Sequence, residues 1–199
     1  ITPALLKQLL TQSSASISEL HTLVVGGDRA DPKDMIKAGE LVQCDVINAY
    51  GPTENTVIST FYRLSQGDEY HNGVPIGQAG TASGAYVVDQ QLCLVPPGVI
   101  GELVVVGDGL ARGYVDARRD VNRFVNINIG GQMLRAYRTG DRVRCRPPDG
   151  QLEYIGRLDG QVKIRGFRVE TEEIEHVLRS SGLVGNAAVL FQQPDDYEA

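Results

Sequence analysis

The stretch from residue 22 to residue 54 constrains the fold more than any other part of this chain. Residues 23–25 are a short aliphatic run that stops at Gly26-Gly27-Asp28. Asp31-Pro32 then supplies an N-cap and a first-turn proline for a helix reaching about Glu40. Val46-Ile47 opens a second apolar run, which ends in the loop Tyr50-Gly51-Pro52-Thr53-Glu54. Strand, helix and strand within about 30 residues predict a βαβ unit, whose two strands lie parallel. Both strand ends then fall on one edge of a sheet, where α/β proteins bind ligands.

Upstream, Thr2-Pro3 ahead of Leu5, Leu6, Leu9 and Leu10 predicts a capped helix whose apolar stripe is packing surface. After about residue 74 the pattern changes. Residues 85–88, 92–95 and 102–106 read as short strands broken by Gly and Pro turns, and a hairpin is expected over 142–146 and 151–155 around Pro147-Pro148-Asp149-Gly150. From Asp159 onward a strand (161–164), a helix (170–179, with Ile174, Val177 and Leu178 on one face) and a strand (186–191) are expected. The fold class is therefore α/β. Residues 1–158 combine a parallel sheet and helices with an antiparallel β region, and residues 159–199 begin a smaller α+β unit.

With 199 residues, the chain has the size of one large domain or of one and a half small ones. Its aliphatic runs, such as 103–106, fall far short of the roughly 20 residues that cross a bilayer. No signal pattern opens it, and no membrane contact is expected. Cys44, Cys93 and Cys145 are odd in number and lack a CxxC pair, which argues against a disulfide framework or a zinc site and for a reducing, cytoplasmic setting. The first residue is Ile1, not Met, which suggests a cleaved or excised piece.

The net charge of −6 is unevenly spread: residues 1–108 carry 5 basic and 12 acidic groups, 109–168 carry 13 and 6, and 169–199 carry 1 and 7. A basic block can steer an anion toward a site, and arginine suits phosphate. On composition alone the plainer reading is a solvated, arginine-rich surface. Basic and aromatic residues are not interleaved, so nucleic acid is not an expected partner.

Several signatures are absent. There is no GxxxxGK[ST] and no GxSxG, which disfavours P-loop nucleotidases and α/β-hydrolases. Gly107, Gly109 and Gly113 have the wrong spacing for a dinucleotide fingerprint. His21, His71 and His176 share no ligand spacing. Three segments remain. In residues 48–54, Tyr50 offers a flat face, Thr53 a hydroxyl and Glu54 a hard oxygen of the kind Mg²⁺ takes alongside nucleotide phosphates; a turn with an exposed carboxylate explains it as well. In residues 137–141, Asp141 beside Gly140 could accept two ribose hydroxyls, or merely cap a turn. Residues 156–170 form a basic, glycine-flanked strand that could rotate, or a charged edge strand.

In this order, the blocks NAYGPTE, GELVVVGDGLARGY, YRTGD and GRLDGQVKIRGFRVE strongly resemble the adenylation domain of nonribosomal peptide synthetases, within the adenylate-forming ligase superfamily. The resemblance runs from about Leu23 to the end. The proline of YGPTE and the VKIRG block look more like amino-acid-activating domains than acyl-CoA synthetases or luciferases. The alternatives are an acyl or aryl acid-CoA ligase, and a degenerate nucleotide-binding or carrier-docking module.

The resemblance implies a site for ATP and Mg²⁺ at which an amino acid becomes an aminoacyl-adenylate. The aminoacyl group then passes to the phosphopantetheine thiol of a peptidyl carrier domain, with a condensation domain as neighbour. On the matching positions, Tyr50 and the Gly26-Gly27 backbone would sandwich adenine and Asn48 would bond its edge. Gly51 shapes the same loop, and Thr53 and Glu54 would face the α-phosphate and Mg²⁺. Asp141 would hold the ribose hydroxyls, with Tyr154 and Arg157 lining the nucleoside. Asp159 matches the hinge of the small subdomain. Val24, Gly26, Ala49, Val57 and Ile58 match substrate-pocket positions; all are small or aliphatic, which implies an apolar or aromatic amino acid.

The family's phosphate loop would precede Ile1, and its catalytic lysine would follow Ala199. Residues 1–158 would then be the C-terminal portion of the large subdomain and 159–199 the hinge and start of the small one, a stretch not expected to adenylate alone. Phe167 stands where the family commonly has His, and Pro147-Pro148 lengthens a hairpin; neither bears on the assigned chemistry.

Overall fold

The computed structural model describes residues 1–42, 45–65, 67, 70–164 and 167–191. Contacts divide the chain into two compact units, Ile1–Leu158 and Asp159–Ala199.

The first unit opens with α1 (Pro3–Gln12) and the short α2 (Ala15–Ser18), then β1 (Thr22–Gly26), α3 (Pro32–Leu41) and β2 (Asp45–Tyr50). The Thr2 hydroxyl caps α1 by accepting from the Leu5 N–H at 3.3 Å, and Asp31 caps α3 by accepting from the Lys33 N–H at 2.7 Å. Leu6 and Leu10 of α1 and Met35 and Ala38 of α3 bury against Leu23, Val25 and Val46. Strand side chains alternate, so Val24, Gly26 and Ala49 lie on the opposite face of the sheet.

β1 and β2 pair in parallel, with Val25 opposite Asn48 and Gly26 opposite Ala49. β3 (Thr60–Arg63) and β4 (Gln78–Ala79) then add antiparallel strands, giving the order β1-β2-β3-β4. The expected parallel sheet is thus a mixed one. The reason is the short link from Tyr50 to Thr60, which reverses the chain directly where a parallel neighbour would need a longer crossover.

The second sheet comprises β5 (Ser83–Val88), β6 (Ile100–Gly107), β7 (Phe124–Ile129), β8 (Gln132–Cys145) and β9 (Leu152–Arg157). Its order is β5-β6-β8-β7, and β9 also pairs β8. Leu103 and Val105 of β6 face one core cluster while Val104 and Val106 face another, so both faces of this strand are covered. That explains its unbroken aliphatic run. β8 serves β7 with its first half and β9 with its second. It changes partner around Gly140, whose φ of 72° few other residues would adopt, and a register shift follows between Arg142 and Val143.

Residues 92–95 are not the strand their composition suggests; only Leu94 bridges Val88. The Asp89 carboxylate accepts from the Gln91 and Cys93 N–H groups, each at 2.9 Å, and holds a turn there.

In the second unit, β10 (Val162–Ile164) pairs antiparallel with β11 (Phe167–Val169), followed by α4 (Thr171–Ser180). The expected strand at 186–191 is absent. Its backbone is held by α4 side chains, with Glu175 accepting from the Val189 N–H at 2.9 Å and Arg179 donating to the Ala187 carbonyl at 3.2 Å. Among the described residues no helix is long and apolar enough to cross a membrane.

Candidate functional site

β2 delivers its last residues into a tightly built turn. Pro52 leads into a single 3-10 turn, Thr53–Asn55, which leaves Thr53 exposed and Glu54 only 6% exposed. Asn55 donates to the Ser59 hydroxyl at 2.7 Å, and the Ser59 N–H returns to the Tyr50 carbonyl at 2.8 Å. Between them, Thr56 (φ 47°) and Val57 (φ 69°) are both left-handed, a conformation that strains β-branched residues. Such strain persists only where the surroundings fix it.

Asp141 comes to the same end of β2 from β8. The Tyr50 hydroxyl donates to Asp141 Oδ2, and Arg157 Nη1 donates to Oδ1 at 2.7 Å. Arg157 sits directly across the β8–β9 ladder from Asp141. The other residues of this block serve the scaffold. Tyr137 is fully buried, Arg138 pairs with Glu102 of β6, and the Thr139 hydroxyl donates to the Leu103 carbonyl at 2.8 Å and accepts from the Asp141 N–H at 3.0 Å.

A second cluster forms around Glu54. Its Oε1 accepts from the Tyr114 hydroxyl, which lies 3.1 Å from the Tyr137 hydroxyl. Phe124 packs edge-on against Tyr114 and tilted against Tyr137, with the Arg135 guanidinium 4.5 Å above its ring. Tyr114, Tyr137 and Glu102 lie within the quoted blocks, but nothing in local spacing assigned them a role.

Burial, then the Asp141 charge, hold the Tyr50 phenol well above its ordinary range. Burial, then the Glu54 carboxylate, do the same for Tyr114. Both are therefore donors at any physiological pH. Because the folded values lie above the unfolded value of about 10, the stability they contribute is intact below about pH 10 and lost as pH rises beyond it. In an alkaline absorbance titration, these two phenols are expected to ionise only with loss of far-UV circular dichroism. Full phenolate development ahead of unfolding would contradict this.

The remaining candidates are distributed around these clusters. Asn48 is buried and donates from Nδ2 to the Pro75 carbonyl at 2.8 Å. Gly27 follows β1, and Gly51 packs against the backbone of residues 57–59. Tyr154 packs in the cluster that also takes in Tyr50. Val57 is 70% exposed and Ile58 partly buried. Asp159 belongs to the second unit, where its carboxylate accepts from the Gln161 N–H at 3.3 Å. Many arginines of the basic block are engaged within the fold, as in Arg138–Glu102, Arg144–Glu153, Arg146–Asp149 and Arg157–Asp141.

Among the described residues no group of three His, Cys, Asp or Glu could hold a metal. Glu54 is a single hard oxygen donor. That fits Mg²⁺ shared with nucleotide phosphates and does not fit an all-protein metal cage.

Residues 1–115 match the family of AMP-binding enzymes. The chain is 59% identical, over 97% of its length, to nonribosomal peptide synthetase dtxS1 of Metarhizium robertsii, and 56% identical, over 98%, to cyclosporin synthetase simA of Tolypocladium inflatum. It spans 2% of the first and 1% of the second. It also superposes on PA1221, a protein containing adenylation and PCP domains, with a TM-score of 0.88 and 33% identity, covering 97% of this chain and 39% of that one. For the fused adenylation-PCP didomain NpsA-ThdA from Klebsiella oxytoca, the TM-score is 0.85 at 29% identity, covering 98% and 36%. The chain belongs to the AMP-binding enzyme family and is a segment of an adenylation domain of the nonribosomal peptide synthetase type.

Proposed function

We propose that this segment supplies the nucleoside-facing and cation-facing parts of a site at which a parent synthetase activates an amino acid with ATP. The carrying observation is the convergence of Tyr50, Asp141 and Arg157, from three strands, into one hydrogen-bonded cluster beside the Glu54 turn. A carboxylate that merely capped its own turn would need no partner 91 residues away in sequence.

In the reaction an oxygen of the amino-acid carboxylate attacks the α-phosphorus, the bond to the bridging oxygen breaks, and pyrophosphate leaves with that electron pair. Little covalent work falls to the protein, so positioning and charge stabilisation dominate. Asp141 accepts from the ribose hydroxyls and is held by Arg157. Tyr50 and the Gly26-Gly27 backbone flank the adenine, Asn48 meets its edge, and Tyr154 closes the nucleoside side. Thr53 and Glu54, carried by the loop that Gly51 tightens, face the α-phosphate. Mg²⁺, held by Glu54 and the phosphates, would neutralise developing charge.

Val24, Gly26 and Ala49 share one sheet face, and together with Val57 and Ile58 they would form a wall that suits an apolar or aromatic amino acid. Asp159 is the hinge between the large-subdomain portion (1–158) and the start of the small one (159–199). The acceptor is the phosphopantetheine thiol of a carrier domain, with a condensation domain as neighbour.

The test is amino-acid-dependent ATP–pyrophosphate exchange by the full-length parent. One or a few apolar or aromatic amino acids are expected to support exchange, and Asp141→Asn to raise the KM for ATP about tenfold, the size of a lost charge-assisted hydrogen bond. Exchange only with fatty or aryl acids would make it the other kind of ligase. ATP binding without exchange would make it a degenerate module.

A further inference from the structure

The proposed roles leave unexplained why a tyrosine hydroxyl reaches Glu54. Tyr114 lies in the loop that follows β6, and that loop is tied to the acidic turn along its length. The Thr56 hydroxyl donates to the Gly109 carbonyl at 2.7 Å, and the Ala111 N–H donates to the Glu54 carbonyl at 2.8 Å. The loop is anchored on its other side as well. Arg135 donates to the Ala111 and Arg112 carbonyls at 2.8 and 2.9 Å, and the Asp120 carboxylate accepts from the Tyr114 N–H at 2.8 Å. If Tyr114 were only a packing residue against Phe124, its hydroxyl would be superfluous. Instead that hydroxyl joins a chain from buried Tyr137 to the Glu54 carboxylate.

We propose that Tyr114 is a positioning residue for this site: its hydroxyl, oriented by that of Tyr137, fixes the Glu54 carboxylate and thereby sets the affinity for the divalent cation that accompanies the nucleotide. This rests on the reading of Glu54 given above. A glutamate side chain has several rotatable bonds, and holding its head in one orientation before the cation arrives removes an ordering penalty from binding.

The test uses Mn²⁺ as a paramagnetic probe, its binding to the full-length parent with α,β-methylene-ATP followed by water-proton relaxation. Tyr114→Phe is expected to weaken Mn²⁺ binding about tenfold and to raise the half-saturating Mg²⁺ in exchange alike, with the KM for the amino acid unchanged. Phe124→Leu, which disturbs the packing but not the hydroxyls, is expected to lower thermal stability and leave Mn²⁺ affinity within about twofold. The inference is overturned if Tyr114→Phe binds Mn²⁺ as the parent does, or if Phe124→Leu weakens it equally. If Tyr114→Phe does not fold, Tyr137→Phe takes its place, with about threefold weaker Mn²⁺ binding expected and an unchanged affinity overturning the inference. Glu54→Gln separates the two levels: if it leaves Mn²⁺ binding unchanged, the reading of the whole site falls, whereas a loss there beside a silent Tyr114→Phe removes only this inference.

Discussion

Glu54→Gln is expected to lower kcat/KM for pyrophosphate exchange by about a hundredfold to a thousandfold, the effect of removing one preorganised charge-stabilising group from a transition state. The substitution preserves shape, and the glutamine oxygen can still accept from Tyr114, so what is lost is the negative charge. Glu54 is 6% exposed, where water screens that charge poorly. Nucleoside binding, which the proposed site assigns to Tyr50 and Asp141, is expected to survive; equilibrium dialysis with AMP reads it separately. Folding is expected to be unharmed, since neutralising a buried carboxylate relieves its desolvation. A loss of less than about threefold, with unchanged Mg²⁺ dependence, would remove Glu54 from the chemistry.

How much of this was legible in the sequence depends on how local each signal is. The βαβ unit was legible because Asp31-Pro32 starts α3 by a local hydrogen bond and the aliphatic runs on either side fit strands. Asp141 stood out beside Gly140, but the partners that distinguish it from a turn cap come from β2 and β9. Tyr114 was invisible as a functional part, because a hydrogen bond to a residue 60 positions away leaves no trace in spacing. Other omissions had a readable cue. Val125, Ile127 and Ile129 alternate and are followed by Gly130-Gly131, a hairpin signal that matches β7 and the start of β8. The apolar runs within 92–95 and 186–191 misled in the opposite direction: four or five apolar residues are compatible with a strand, but only a neighbouring ladder makes one. The basic block left an anion-steering and a solvated surface as its readings, and Arg138, Arg144, Arg146 and Arg157 instead pair with carboxylates of the same chain.

Gly77→Ala is expected to be the most damaging single-methyl change in the first unit, and it tests how the two sheets are registered. The proposed nucleotide site depends on Tyr50 of the first sheet and Asp141 of the second being held at hydrogen-bonding distance. Gly77 stands at that junction. The Ile76 N–H donates to the Leu152 carbonyl at 2.8 Å, the Leu152 N–H donates to the Gly77 carbonyl at 2.9 Å, and the Thr60 hydroxyl donates to the Ile76 carbonyl at 2.6 Å. β9 is thereby tied to β3. A Cβ at Gly77 would lie 1.8 Å from the Phe61 carbonyl oxygen and 2.5 Å from the Tyr62 nitrogen, backbone atoms that cannot move without parting the sheet. Its φ of 86° adds the ordinary penalty of a left-handed conformation. Together these are expected to cost on the order of 4 kcal/mol or more, against a total stability of about 5–15 kcal/mol. Gly131→Ala is the matched control. It has nearly the same φ, 89°, but nothing within 4 Å of its Cβ, and is expected to cost only about 1 kcal/mol. Hydrogen exchange of the segments 58–64 and 150–157 in the parent protein reads the junction directly, and both should lose protection in Gly77→Ala while Gly131→Ala leaves them protected. ATP affinity should fall in step with that protection, because Arg157 and Tyr50 lose their common partner together. Equal behaviour of the two variants would mean that backbone conformation alone matters at Gly77, and that the register of the sheets is set elsewhere.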